Sequence, residues 1–271
     1  MGIVNVTPDS FSDGGEFLDA EQAIAHGREL AADGADILDV GGESTRPGAE
    51  GVDVETELAR VVPVVEALTG SSGPGAPVSI DSSKAAVAAA ALDAGAEIVN
   101  DVTALRADSE MAALCADRGC GLVLMHMLGT PRTMQEDPRY EDVVDDVKAF
   151  LAERIESATS AGVAEERIWV DPGIGFGKTV EHNLELHRRL GELGELGRPI
   201  VFGSSRKAFI GKLTGAPVDK RLGGSIASTV IAYANGAEVL RVHDVGPMRE
   251  ALAVADAILD PRRATAISDR A

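Results

Sequence analysis

Short runs of apolar and β-branched residues alternate along this chain with longer stretches whose apolar positions recur at helical spacing. The strand-like runs are Gly2–Val6, Ile37–Val40, Val78–Asp81, Ile98–Asp101, Leu122–Met125, Ile168–Asp171, Ile200–Phe202 and Val239–Val242. Between them lie Ala-, Leu- and Glu-rich segments such as Ala20 to Ala32, Val54 to Leu68, Val143 to Ala158 and Met248 to Ile258, which the 3.6-residue period predicts as helices. A related junction recurs as Asp33 to Val40, Asp93 to Val102 and Ala234 to Val242. In each, a Gly is placed to end a helix in the left-handed conformation, and an Ala-acid pair leads into a strand buried on both faces. Eight strand–helix units in succession predict an α/β protein, a single-domain (β/α)8 TIM barrel over residues 1–260 with a polar, flexible tail at 261–271. A doubly wound open sheet is the structural alternative; it ranks second because no dinucleotide fingerprint follows the first strand.

Composition narrows the function classes. An apolar content of 45% over 271 residues suffices for one barrel-sized core. The formal net charge of -19 argues against a nucleic-acid or anionic-membrane partner, because both need clustered Lys and Arg. With no basic-apolar leader and no apolar run of membrane length, the expected location is the cytoplasm. Cys115 and Cys120 are too few for a disulfide framework, and their apolar surroundings predict reduced, partly buried thiols rather than a metal site.

A barrel places its chemistry at the C-terminal ends of its strands, and those ends carry polar residues that are costly to bury without purpose. In order they are Asn5; Asp39 with Glu43; Asp81; Asn100 and Asp101; His126; Asp171; Ser204, Ser205 and Lys207; and Arg241 with His243. Any one alone reads better as a loop cap or a satisfied core group. All eight ends together read as a site. Asp81, Asn100 and Asp171 suit a flat heterocycle with N–H and amino edges, a pterin or guanine-like ring. Arg46, Lys207, Arg241 and His243 suit phosphate oxygens, giving a local positive patch in an acidic chain. For His243 taken alone, a structural bond to a carbonyl is an equal reading, and Lys178 reads as a loop tether. The run Asn5 to Gly15, polar and Gly-rich after the first strand, reads as an active-site loop only in this company.

Eight runs in order carry a resemblance: NVTPDSFSDGG from Asn5, ESTRPGA from Glu43, VSIDS from Val78, IVNDV from Ile98, MHMLGTPRTMQ from Met125, DPGIGFGKT from Asp171, SRKAFIG from Ser205 and RVHDV from Arg241. The chain resembles the pterin-binding barrel family, its dihydropteroate synthases in particular, over essentially its whole length. The resemblance implies that 4-aminobenzoate displaces pyrophosphate from 6-hydroxymethyl-7,8-dihydropterin diphosphate, giving 7,8-dihydropteroate for folate synthesis. It implies a pterin site of Asp81, Asn100, Met125, Asp171, Lys207 and Arg241, with Asp81, Lys207 and Arg241 catalytic. Asn5, Thr45, Arg46, Arg241 and His243 would hold the diphosphate, with Asn5 on its Mg2+. Phe11, Thr45, Arg46, Pro47, Phe176, Lys207 and Ala208 would form the aminobenzoate site, the target of sulfonamides. A homodimer through the later helices is also implied.

Three departures from the family pattern stand out. Ala208 replaces a Ser whose hydroxyl can meet the aminobenzoate carboxylate, which bears on affinity more than activity. Ser82 stands where Thr is common. The chain also begins almost directly on the first strand, where relatives have further residues, and an upstream start would explain this. Two rival readings follow: a methyltetrahydrofolate-corrinoid methyltransferase, which needs no diphosphate site, and a non-catalytic pterin-binding paralogue.

Overall fold

The computed structural model of the protein describes residues 1–7, 16–45, 48–49 and 51–259, without the side chains of 16–19. Phe11, Arg46, Pro47 and the 261–271 segment lie outside these residues. The strands are β1 (Gly2–Asn5), β2 (Leu38–Gly41), β3 (Val78–Asp81), β4 (Ile98–Asp101), β5 (Gly121–Met125), β6 (Ile168–Asp171), β7 (Val201–Phe202) and β8 (Val239–Leu240). The helices are α1 (Glu16–Ala32), α2 (Val54–Thr69), α3 (Ala85–Asp93), α4 (Met111–Arg118), α5 (Val143–Ser160), α6 (Val180–Arg188), α7 (Ala208–Thr214), α8 (Leu222–Ala234) and α9 (Val245–Leu259).

Strands β1 to β6 pair in order and in parallel, and β7 pairs with β8. Single parallel bridges, Val170 to Ile200 and Gly2 to Val242, join the two sheets into a ring of eight. The Ile3 N–H donates to Val242 O at 3.0 Å and the Val242 N–H to Met1 O at 2.9 Å, which closes the barrel. The last two strands are shorter than the hydrophobic pattern suggests, and Val242 contributes only the closing bridge.

Strand alternation separates two apolar regions. Val4, Val40, Ile80, Val99, Leu122 and Leu124 face outward and pack under α1 to α4, while Ile98, Val123 and Val201, with Trp169 and Val239, form a plug in another cluster. Side-chain caps set the helix starts: Asp53 accepts the Thr56 N–H at 2.7 Å, and Asp142 accepts those of Val144 and Asp145. At the helix–strand junctions Gly34, Gly95 and Gly236 adopt φ of 93°, 106° and 103°, as the repeated sequence motif requires. Cys115 and Cys120 are free thiols and fully packed, more buried than the sequence implies.

Candidate active site

The C-terminal strand ends surround a cavity whose lining includes Asp81 (β3), Asn100 (β4), Met125 (β5), Asp171 (β6), Lys207 and Arg241. Thr45 and Phe176 reach it from loops. All these residues were expected from sequence, and the fold brings them together. Val102, Gly173, Ile174 and Gly203 complete the wall and were not. Val102 and Gly173 each lie two residues beyond a predicted site residue, which is the signal that would have found them. Asn5, Ala208 and His243 are not among the lining residues; Asn5 ends β1 half-buried and Ala208 is exposed at the start of α7.

Arg241 is tied from both sides. Its Nε donates to Asp39 Oδ2 at 2.6 Å and its Nη2 to Asp81 Oδ2 at 2.7 Å. Burial alone would lower its pKa, but the two carboxylates outweigh that and hold it above the usual arginine range. Burial pushes the Asp81 carboxyl up to about 7, with Arg241 opposing the rise and the neighbouring Asp39 and Glu57 adding to it. A carboxylate poised there can exchange a proton near neutral pH. Burial also raises Asp171, against the Gly173 N–H that it accepts at 2.7 Å and the charge of Lys207. Lys207 is drawn down to about 8 by burial and then by Arg241. Its Nζ stands 4.0 Å from the centre of the Phe176 ring, a cation–π contact across the pocket. Asn100 donates Nδ2 to Asp39 Oδ2 at 3.2 Å. A carboxylate only accepts, so this bond turns the amide and leaves its carbonyl oxygen for a ring donor.

Two strand-end residues turn away from the cavity. Asp101 accepts the Thr103 and Leu105 N–H groups and shapes its own loop. His126 meets Lys178, whose buried Nζ lies 2.9 Å from His126 Nδ1 and donates at 3.0 Å to both Gly173 O and Phe176 O. Lys178 is therefore the loop tether that its sequence position suggested, and it fixes the segment carrying Phe176. Gly173 in that segment has φ of 67°, and a Cβ there would stand 1.9 Å from His126 O. Gly173→Ala should destabilise the fold by roughly 3 kcal/mol or more, read from chemical denaturation, since it adds left-handed strain to a backbone clash. On the opposite side Lys84 bonds both Glu43 and Glu57, anchoring the base of the loop that leads to Thr45.

His243 corrects one expectation. It is not a cation in this setting: burial, with Arg241 and Arg206 beside it, lowers its pKa to about 3. Ser205 Oγ accepts the His243 backbone N–H at 3.2 Å and lies 3.0 Å from Nδ1, so the serine hydroxyl holds the neutral ring in place. His126 is likewise lowered to about 2 by burial and Lys178. The unfolded chain protonates both rings near pH 6.5 and the folded one does not, so stability falls as pH drops below that value. Ring nitrogen NMR should keep His126 and His243 at neutral-imidazole shifts between pH 5 and 8, even as the neighbouring Lys178 titrates near 7, and imidazolium shifts for either ring would refute this reading.

Among the described residues no three His, Cys, Asp or Glu come together to hold a metal.

A cavity that sets acceptors for a flat ring beside an arginine, at the C-terminal mouth of a parallel barrel, defines a small-molecule barrel enzyme. The chain belongs to the pterin binding enzyme family, whose family model matches residues 1–243. It is 45% identical over 262 residues to the dihydropteroate synthase of Escherichia coli K12, covering 97% of this chain and 92% of the relative. The solved structure of the Xanthomonas albilineans dihydropteroate synthase with 4-aminobenzoic acid is 49% identical, with a TM-score of 0.89 over 95% of this chain and 92% of that one. The Yersinia pestis enzyme in complex with a sulfonamide drug is 43% identical, with a TM-score of 0.90 over 95% and 93%.

Proposed function

We propose that the protein is a dihydropteroate synthase, joining 6-hydroxymethyl-7,8-dihydropterin diphosphate to 4-aminobenzoate with release of pyrophosphate in folate synthesis. The observation that carries this is the pocket itself: Asp81, Asn100 and Asp171 present acceptors to a ring while Lys207 and Arg241 stand beside them. The Xanthomonas albilineans relative holds 4-aminobenzoic acid and the Yersinia pestis relative a sulfonamide drug, which supports the acceptor half of this reading.

In this reading Asp171, Asn100 and Lys207 hold the pterin, Met125 packs on it, and Asp81 and Arg241 flank it. The cationic pterinyl methylene left when pyrophosphate departs is stabilised by the carboxylates of Asp81 and Asp171. Arg241, Arg46, Thr45 and His243 take the diphosphate oxygens. Mg2+ would join them through Asn5 and the diphosphate, offsetting negative charge on the leaving group. Phe176, Lys207, Thr45, Phe11, Arg46, Pro47 and the backbone N–H of Ala208 shape the aminobenzoate side, where sulfonamides would compete. Closure of that side excludes water from the cation until the aromatic amine attacks.

Residues 1–260 are read as one barrel domain. Leu213, Leu222, Ile231, Val254 and Ile258, exposed apolar side chains on α7 to α9, support a homodimer through the later helices. The two free thiols fit a reducing cytoplasm. Among the described residues no helix is long and apolar enough to cross a membrane.

The test is pyrophosphate release from the pterin diphosphate with Mg2+, with and without 4-aminobenzoate, and dihydropteroate followed in the same tubes. One-to-one, aminobenzoate-dependent release is expected. Release without dihydropteroate would refute the assigned acceptor, and no release would favour the non-catalytic paralogue or the methyltransferase.

A further inference from the structure

Asp39 has no role in the site assigned so far. It lies on β2, with no exposed surface, and touches two residues that do: Oδ2 takes both the Arg241 Nε–H at 2.6 Å and the Asn100 amide at 3.2 Å. Its other oxygen, Oδ1, is buried and has no hydrogen-bond partner among the described residues. A buried carboxylate oxygen without a donor is costly and calls for an explanation.

The guanidinium offers one. Its Nε and Nη2 protons point along one edge, the edge that fits a carboxylate side-on through two parallel bonds. Here that edge is split, with Nε on Asp39 and Nη2 on Asp81. Asp81 lines the cavity and Asp39 does not, so a ring donor entering the pocket competes with Arg241 for Asp81 alone.

We propose that Asp39 is a positioning residue, the fixed anchor of Arg241: Nε stays on Oδ2, and when a ligand ring takes Asp81, Nη2 closes onto the spare Oδ1 to complete a two-bond fork. Asp81 is thereby released to the ligand without leaving the guanidinium half-paired. The same carboxylate keeps the Asn100 amide turned with its carbonyl available. Because the pocket is read as a pterin site, the ligand side of this exchange rests on the function proposed above; the hold of Asp39 on Nε does not.

The variant Asp39→Asn keeps the shape but replaces the charge-assisted bond to Nε by a weaker neutral one, on a single oxygen that the Asn100 amide also needs, and gives Nη2 no second acceptor. NMR of the full-length protein should show the Arg241 Nε–H exchanging with water at least ~10-fold more slowly in the parent and in Asp81→Asn than in Asp39→Asn. Addition of 6-hydroxymethylpterin with inorganic pyrophosphate should leave that proton protected while shifting the Nη2 signals. Titration calorimetry should find pterin affinity at least ~10-fold weaker in Asp39→Asn, with thermal unfolding reported alongside. Equal Nε–H exchange in parent and Asp39→Asn, or equal pterin affinity, overturns the anchor. If the parent itself binds no pterin, the functional reading fails, and Nε–H exchange alone upholds or overturns the anchor. Should Asp39→Asn not fold, exchange in the parent and Asp81→Asn decides: a protected Nε–H in both supports Asp39, and loss of protection in Asp81→Asn refutes it.

Discussion

Asp171→Asn should lower kcat/KM for the pterin diphosphate on the order of 10²-fold or more, with the loss appearing first in pterin affinity. Asp171 is 5% exposed, and one of its oxygens already accepts the Gly173 N–H at 2.7 Å. The other oxygen is the one a ring donor can use. An amide cannot serve both sides: whichever way it turns, its NH2 faces either the Gly173 N–H or the ligand's donor, and one buried donor is left unpaired. The charge is lost as well, and with it the attraction for a cationic methylene, so kcat should fall too. Calorimetry with the pterin diphosphate and steady-state rates separate the two effects. Affinity within threefold of the parent would mean that Asp171 does not hold the ring.

Sequence located the rim of this site but not which way each rim residue points. Eight strand ends could be read because apolar runs stop abruptly at polar residues. The side chain that enters the barrel is then settled by the two-residue period of a strand. Asp81, Asn100, Met125 and Asp171 fall on the inward phase, whereas Asp101 and His126, one residue later, fall on the outward phase and serve their loops. That phase was available from the pattern, since Asn100 and Asp101 cannot both face inward. Pairing was not available. Nothing in the spacing between positions 39, 81 and 241 tells that two carboxylates share one guanidinium, because they meet only when β8 closes beside β1. For the same reason His243 read as a cation: its depressed pKa follows from burial and from Arg206 and Arg241 nearby, which only the closed barrel supplies.

Arg241→Ala should damage both chemistry and fold, and pH separates the two. Removing the guanidinium leaves Asp39 and Asp81 buried without their cation, a loss of about 3–5 kcal/mol for a broken buried pair. Asp81 already sits at about 7 with Arg241 opposing the rise. Without that charge its folded pKa must climb further, above the unfolded value near 3.9. A carboxyl whose folded pKa is raised contributes less stability as pH rises through the window between the two values. Up to about pH 7 parent and variant lose this stability alike; above it the parent's Asp81 is ionised and only the variant goes on losing, so the deficit of Arg241→Ala should stay nearly level below about pH 6 and widen as pH rises through about 7 in denaturant titrations. Activity should drop on the order of 10²- to 10³-fold, chiefly through diphosphate affinity, because the cation beside the leaving group is gone. Arg241→Lys sharpens the test: a point charge can restore much of the stability, yet it cannot bridge two carboxylates and meet an anion with a fixed planar fork. Recovery of stability without recovery of kcat/KM is expected. A deficit that stays constant through pH 7 would show that Asp81 does not depend on Arg241 for its charge, and full activity in the lysine variant would show that the fork has no part in holding the diphosphate.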